Sequence, residues 1–174
     1  AGEFNGIKIA LAASYFEQND TNPTNITGAT SSYWQIGGYV QHVPTGLFLH
    51  AAYGQDDTDL TAAQLGTNVV TGDIYYLKAG VRQRWSALGH TVLFGEYGNR
   101  NDMVNVASFA ANGFAGVTGS DMTQWGLGVV QEVDAAAMSL WLVYRNFDAE
   151  ISQGAVTTGF DEMHIVKFGA LINF

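Results

Sequence analysis

The chain has 174 residues, 47% of them apolar and only 13% charged, with 21 glycines, no cysteine and a net charge of −9. The charged share is about half that of an ordinary soluble domain. The missing cysteine excludes disulfides, thiolate catalysis and thiolate metal sites, and the negative balance argues against a nucleic-acid partner. No stretch reaches the roughly twenty apolar residues of a spanning helix. Ala1–Asn5 lacks the basic and apolar regions of a secretory leader, so any membrane span must be a strand.

Side chains of a strand point alternately to two faces, so period-two patterning marks a strand between different surroundings. Gly6–Glu17 sets Ile7, Ile9, Leu11, Ala13 and Tyr15 against Lys8, Ala10, Ala12, Ser14 and Phe16. Asn19–Ser32 is rich in turn formers and reads as a loop. Tyr33–Val43 is the second predicted strand, Pro44-Thr45-Gly46 a tight turn, and Leu47–Gln55 the third strand. Asp56–Gly72 reads as a polar loop whose Asp56, Asp57 and Asp59 form a solvated acidic cluster. Ile74–Trp85 is the fourth strand: Tyr75, Leu77, Ala79, Val81, Gln83 and Trp85 oppose Tyr76, Lys78, Gly80, Arg82 and Arg84. Ser86–His90 turns the chain into the fifth, Thr91–Arg100, and Asn101–Ser120 is a long loop. Asp121–Val133 and Ala137–Phe147 follow, joined by a short turn at Asp134–Ala136. Asn146–Phe160 reads as a further loop before the last strand, Asp161–Phe174.

Short turns thus alternate with connections of roughly fourteen to twenty residues, far above hairpin length. That is the layout of an outer-membrane barrel with periplasmic turns and extracellular loops. The expectation is an all-β chain, residues 1–174, forming a transmembrane antiparallel β-barrel domain with eight strands in view.

Charge is sorted by face. Lys8, Lys78, Arg82, Arg84, Arg100, Arg145 and Lys167 all fall opposite the apolar stripe, together with Glu96 and Glu132. A charge facing lipid near the bilayer midplane costs roughly 2–4 kcal/mol, whereas one facing water costs little. These nine residues are therefore the predicted pore lining. The competing reading is a plugged interior in which the cations pair with Glu96 and Glu132. On the apolar side Tyr15, Trp34, Tyr53, Trp85, Tyr97, Trp125, Tyr144 and Phe174 gather near strand ends, as in interfacial aromatic girdles. Inward glycines at 37, 54, 80, 98, 126, 128 and 169 suit either a wide pore or bulky neighbours in a narrow one.

Catalysis is not expected. His42, His50, His90 and His164 do not share a face at ligand spacing, and no Gly-x-Ser-x-Gly motif is present. No metal site or cofactor is predicted. A soluble sandwich would have to bury an apolar strand that ends on bare Phe174, an exposed-edge liability.

Four segments carry a resemblance: HVPTGLF (42–48), YYLKAGVRQRW (75–85), GHTVLFGEYG (89–98) and WGLGVVQEVDAAAMSLWLVYR (125–145). Over most of its length the chain resembles the C-terminal half of alphaproteobacterial general porins, through strand and turn patterns rather than invariant catalytic residues. Phe174, with Val166, Phe168, Ala170 and Ile172 at alternate positions, is similar to the terminal signal read by the barrel-insertion machinery. The resemblance implies a sixteen-stranded homotrimeric porin of the bacterial outer membrane, bounded by lipid and lipopolysaccharide. Phe168, Ile172 and Phe174 would be its assembly signal. Its constriction loop would lie in the other half, and no residue here matches that loop's acids. The function expected is passive diffusion of ions and small hydrophilic solutes through a water-filled channel. A closed eight-stranded barrel with a structural or adhesin role is the alternative.

Overall fold

The computed structural model describes residues 2–19, 30–59, 69–103 and 117–173. They form one antiparallel sheet of ten strands: β1 (Gly2–Phe4), β2 (Ile7–Asn19), β3 (Thr30–His42), β4 (Leu47–Asp59), β5 (Val69–Ser86), β6 (Gly89–Asn101), β7 (Gly119–Val133), β8 (Met138–Gln153), β9 (Val156–Gly159) and β10 (Met163–Ile172). Each strand from β1 to β8 pairs with the next, and β8 pairs with both β9 and β10. The sheet is open. β1 and β10 are its edges, so the closed barrel expected from sequence is not formed by these residues. Phe174 and most of the predicted loops at 19–32, 56–72 and 101–120 lie outside the described residues.

Two strands escaped the sequence reading, each for a local reason. Asn5 (φ 49°) and Gly6 (φ 77°) form a two-residue turn that folds Phe4 back onto Ile7, creating β1. Asn-Gly is the residue pair such hairpins prefer, because both positions need positive φ. The loop expected over Asn146–Phe160 is also not a loop. β8 runs on to Gln153, a turn at Gly154 (φ 61°) reverses the chain, and β9 pairs Val156 with Gln153. Between β9 and β10, Phe160–Glu162 stand opposite only Asp148 and Ala149, since Gly159 pairs with Glu150 and Met163 with Phe147. This extra residue is a β-bulge. It shifts the side-chain phase by one, hiding from a simple parity count that β9 and β10 continue one line along β8.

Strands also overrun their predicted ends on the long-connection side. β4 reaches Asp59 and β5 starts at Val69, so Asp56 and Asp57 are strand residues rather than loop residues. There Ser31 donates to Asp56 at 3.0 Å and Thr71 to Asp57 at 2.7 Å. Both faces are polar at that height, so alternation is lost although pairing continues. At the opposite end the turns are short. Gly46 N–H donates to His42 O at 2.8 Å, and a 3-10 turn spans Asp134–Ala136. A register shift between Gln83 and Ser86 interrupts β5, so Trp85 cannot be assigned to the apolar face by parity.

Burial runs opposite to that of an ordinary domain. Leu11, Leu127, Val166 and Phe168 are widely exposed on one face, while Gln41, Glu96 and Gln124 on the other are buried. Among the described residues the only buried apolar side chains are Phe94, Val117 and Ile151. Among the described residues no second sheet covers the apolar face, so the sandwich alternative finds no support there.

Candidate functional site

Directly paired residues of an antiparallel sheet share a face, so the register shows where the charges stand. One continuous row runs Lys8–Gln41–Phe48–Gly80–Phe94–Gly128–Val143–Lys167 from β2 to β10. The next row toward the long connections runs Ala10–Tyr39–His50–Lys78–Glu96–Gly126–Arg145–Ile165. Arg82 and Arg84 lie toward the short turns, at the bulge end of β5, with Glu132 near them on β7. Arg100 lies toward the long connections, paired with Ile74 and Met122. The nine residues singled out from sequence thus belong to one wall.

Pairing then divides them. Arg82 grips Glu132 through two hydrogen bonds, Nε to Oε1 at 2.8 Å and Nη2 to Oε2 at 2.6 Å. His90 Nδ1 stands 3.6 Å from the same carboxylate. Arg145 bonds Glu96, whose other oxygen accepts from the Tyr76 hydroxyl at 2.6 Å. The Glu96 side chain is only 1% exposed, a depth at which a carboxylate needs a countercharge and hydrogen bonds to remain ionised. Arg84 pairs with Asp134, and Lys8 with Glu3 at 3.7 Å. Arg100 donates to the neutral Gln124 at 2.9 Å. Lys78 lies on the Phe94 ring, 3.6 Å from its centroid, a cation–π contact.

The wall is therefore a set of matched pairs with a few unmatched cations, not a bare cationic surface. Two of the neutralising carboxylates, Glu3 and Asp134, lie outside the strands that the sequence pattern predicts. Glu3 sits on the unrecognised β1, and Asp134 in a turn fifty residues from Arg84. Tyr76 was on the correct face by parity, but its partner on the neighbouring strand was not legible without register.

Three of the inward glycines make room for rings. A Cβ on Gly80 would overlap the Phe48 ring, and one on Gly128 the Phe94 ring; one on Gly169 would lie 2.5 Å from Trp141. Each is a direct cross-strand aromatic–glycine pair, the arrangement that repairs the packing a strand glycine lacks.

On the opposite face the aromatics form an unbroken line. Tyr15 pairs with Trp34, Tyr53 with Tyr75, and Tyr97 with Trp125. Ring contacts bridge the steps: Trp34–Tyr53 at 5.5 Å, Tyr75–Tyr97 at 6.1 Å and Trp125–Tyr144 at 5.4 Å. Following the paired row from Tyr144 back to β2 reaches Ile9, six residues from Tyr15. The line thus slips one residue per strand. Beyond it the same face turns polar, with Asn99 donating to Asp121 at 2.9 Å and Asn101 to Asp73 at 3.1 Å.

Phe168 and Ile172 project from the apolar face of edge strand β10, and Phe174 lies outside the described residues. The histidines are dispersed. His42 contacts Thr45 Oγ1 at 2.8 Å, and His164 contacts the Tyr144 hydroxyl at 2.8 Å and Asn146 Nδ2 at 3.2 Å. Among the described residues no group of three or more His, Asp or Glu side chains is placed to hold a metal ion. Comparison with family models, with curated proteins and with solved structures finds no match to this chain.

Proposed function

We propose that the chain is part of an outer-membrane porin, a water-filled channel for passive diffusion of ions and small hydrophilic solutes. The observation that carries this reading is the inversion of burial, large apolar side chains outside and ion pairs inside. An apolar exposed surface this continuous is a membrane or partner surface. No helix among the described residues could cross a membrane, which has no bearing on strands.

The aromatic line gives the reading a metric. If the line marks a level interface, one residue of rise (about 3.3 Å) is lost per strand spacing of about 4.8 Å. The strands are then tilted by about 35°, within the usual range for membrane barrels. On β5 the apolar face is bounded by Asp73 and Gln83, roughly 33 Å apart along the strand. At that tilt the band is roughly 27 Å tall, close to the hydrocarbon band of such barrels. The unpaired edges of β1 and β10 must be satisfied, by further strands or by each other, because an open edge is not viable in lipid. A wide barrel of about twice this size, trimeric as in the family the sequence resembles, satisfies both edges.

Purified protein in a planar bilayer should give stepwise ohmic conductance. Arg82→Gln with Arg84→Gln leaves Glu132 and Asp134 without their cations, so the reversal potential in a salt gradient should move toward cation preference. An unchanged potential would remove these residues from the conducting wall, and absence of conductance would overturn the porin reading. Intact mass of the native polypeptide sizes the barrel: about twice 18.7 kDa fits the wide form, and 18.7 kDa the closed eight-stranded one.

A further inference from the structure

The cation-bearing wall holds a groove of about 420 Å³ on β3–β7, lined by Tyr39, Phe48, His50, Tyr76, Lys78 and Phe94 together with Arg82 and two valines. Tyr39 and Phe48 stack at 5.9 Å, 30° apart, and His50 meets Tyr76 edge-on at 5.8 Å. The rings are held in place from behind. Phe48 rests on Gly80 and Phe94 on Gly128, where no side chain could share the space. The groove is thus an aromatic floor rather than a loose apolar dent, of a size suited to a small ligand.

Its charge is as specific as its shape. Arg82 also borders the groove, but its guanidinium is committed to Glu132 on two bonds. Glu96, the residue directly opposite Lys78, is committed to Arg145 and Tyr76. Lys78 makes no ion pair among the described residues and is held instead over Phe94. Its ammonium shares the field of Glu96 across the strand pair but bonds to no carboxylate among the described residues, and it stands beside the aromatic floor with the His50 ring next to it in the paired row.

We propose that this groove is a binding site for small aromatic carboxylates: the ring lies on the Tyr39–Phe48 floor and the carboxylate meets the Lys78 ammonium. The inference rests on the channel reading for solute access, and it names a solute class which the wall retains instead of merely passing. An aliphatic carboxylate satisfies Lys78 but leaves the floor uncovered; a neutral aromatic amide covers the floor but leaves Lys78 unmatched. Neither gains both contacts.

The test is a ligand-observed NMR titration of the folded, detergent-solubilised protein with benzoate, acetate and benzamide. Benzoate should show saturable binding and the other two none in the same range. Lys78→Gln should weaken benzoate about tenfold, the scale of one partly desolvated charged contact, while Lys167→Gln, a cation on the same wall at the sheet edge, should not. Phe48→Leu, which keeps apolar bulk but removes the ring, should erase the preference for benzoate over acetate and serves if Lys78→Gln does not fold. Equal binding of benzoate and benzamide, or unchanged benzoate binding in both groove variants, overturns the site. Binding in micelles does not depend on conduction, so the two readings fail separately. Benzoate binding without bilayer conductance overturns the channel alone, and conductance without benzoate binding overturns the groove alone.

Discussion

Replacing Arg145 with Met should destabilise the protein more than replacing its partner Glu96 with Gln, although both changes break the same ion pair. The asymmetry follows from burial. The Glu96 side chain is 1% exposed and that of Arg145 32%. Without Arg145 the carboxylate stays where water cannot reach it, and an orphaned buried charge costs about 3–5 kcal/mol. The Tyr76 hydroxyl still donates to it at 2.6 Å, and Lys78 is its facing residue on β5, which places the cost near the lower end, about 3 kcal/mol. Without the Glu96 charge, Arg145 can turn to water and Gln still accepts from Tyr76, so the loss is about 1 kcal/mol. With a urea slope of about 2 kcal/mol/M, Arg145→Met should lower the unfolding midpoint by about 1.5 M and Glu96→Gln by about 0.5 M. The double variant should recover about 2 kcal/mol relative to additivity, because it removes the stranded charge. Tryptophan fluorescence during unfolding from lipid vesicles reads all three. Additive losses, or a larger loss for Glu96→Gln, would refute the account of the pair as a buried acid held by a half-exposed base.

Two further predictions use neighbouring positions as their own controls. Gly128→Ala puts a methyl group into the Phe94 ring and should cost about 1–3 kcal/mol. Gly95→Ala on the adjacent strand meets nothing closer than Leu127 at 3.6 Å and should be nearly neutral; equal effects in urea titrations would dismiss the aromatic–glycine pairing. On the apolar face of β5, Ala79→Arg lies at mid-band and should cost about 2–4 kcal/mol in a bilayer, against at most about 1 kcal/mol for Gln83→Arg at the band edge. A flat profile between the two would mean that this face does not contact lipid.

The likeness to the terminal insertion signal is confined to β10 and Phe174, two residues beyond it. Within the described part, Phe168 and Ile172 are exposed on an edge strand.

Much was written in the linear chain because a strand's two faces are decided by parity alone. Lys78, Gly80 and Arg82 follow one another at every second residue, so the common wall of the two cations, and the apolar face of Leu77, Ala79 and Val81, follow from spacing and the cost of exposing charge to an apolar medium. The short turn at Pro44–Gly46 was legible from residues that set backbone angles locally, whereas the turn at Asp134–Ala136 showed only as a break in alternation, its positive-φ residue being Ala137. Parity failed where one residue was inserted, at the bulges near Trp85 and Phe160–Glu162, because a single extra residue exchanges the faces. Tertiary structure decided who pairs with whom. Register joins Glu96 to Arg145 and Asp134 to Arg84 across about fifty residues, and lays Phe48 and Phe94 on glycines of other strands. Those relations pair four of the seven cations, Lys8, Arg82, Arg84 and Arg145, with carboxylates and leave Lys78 over the Phe94 ring. They depend on the alignment of separate strands, which the periodicity of any one strand does not contain.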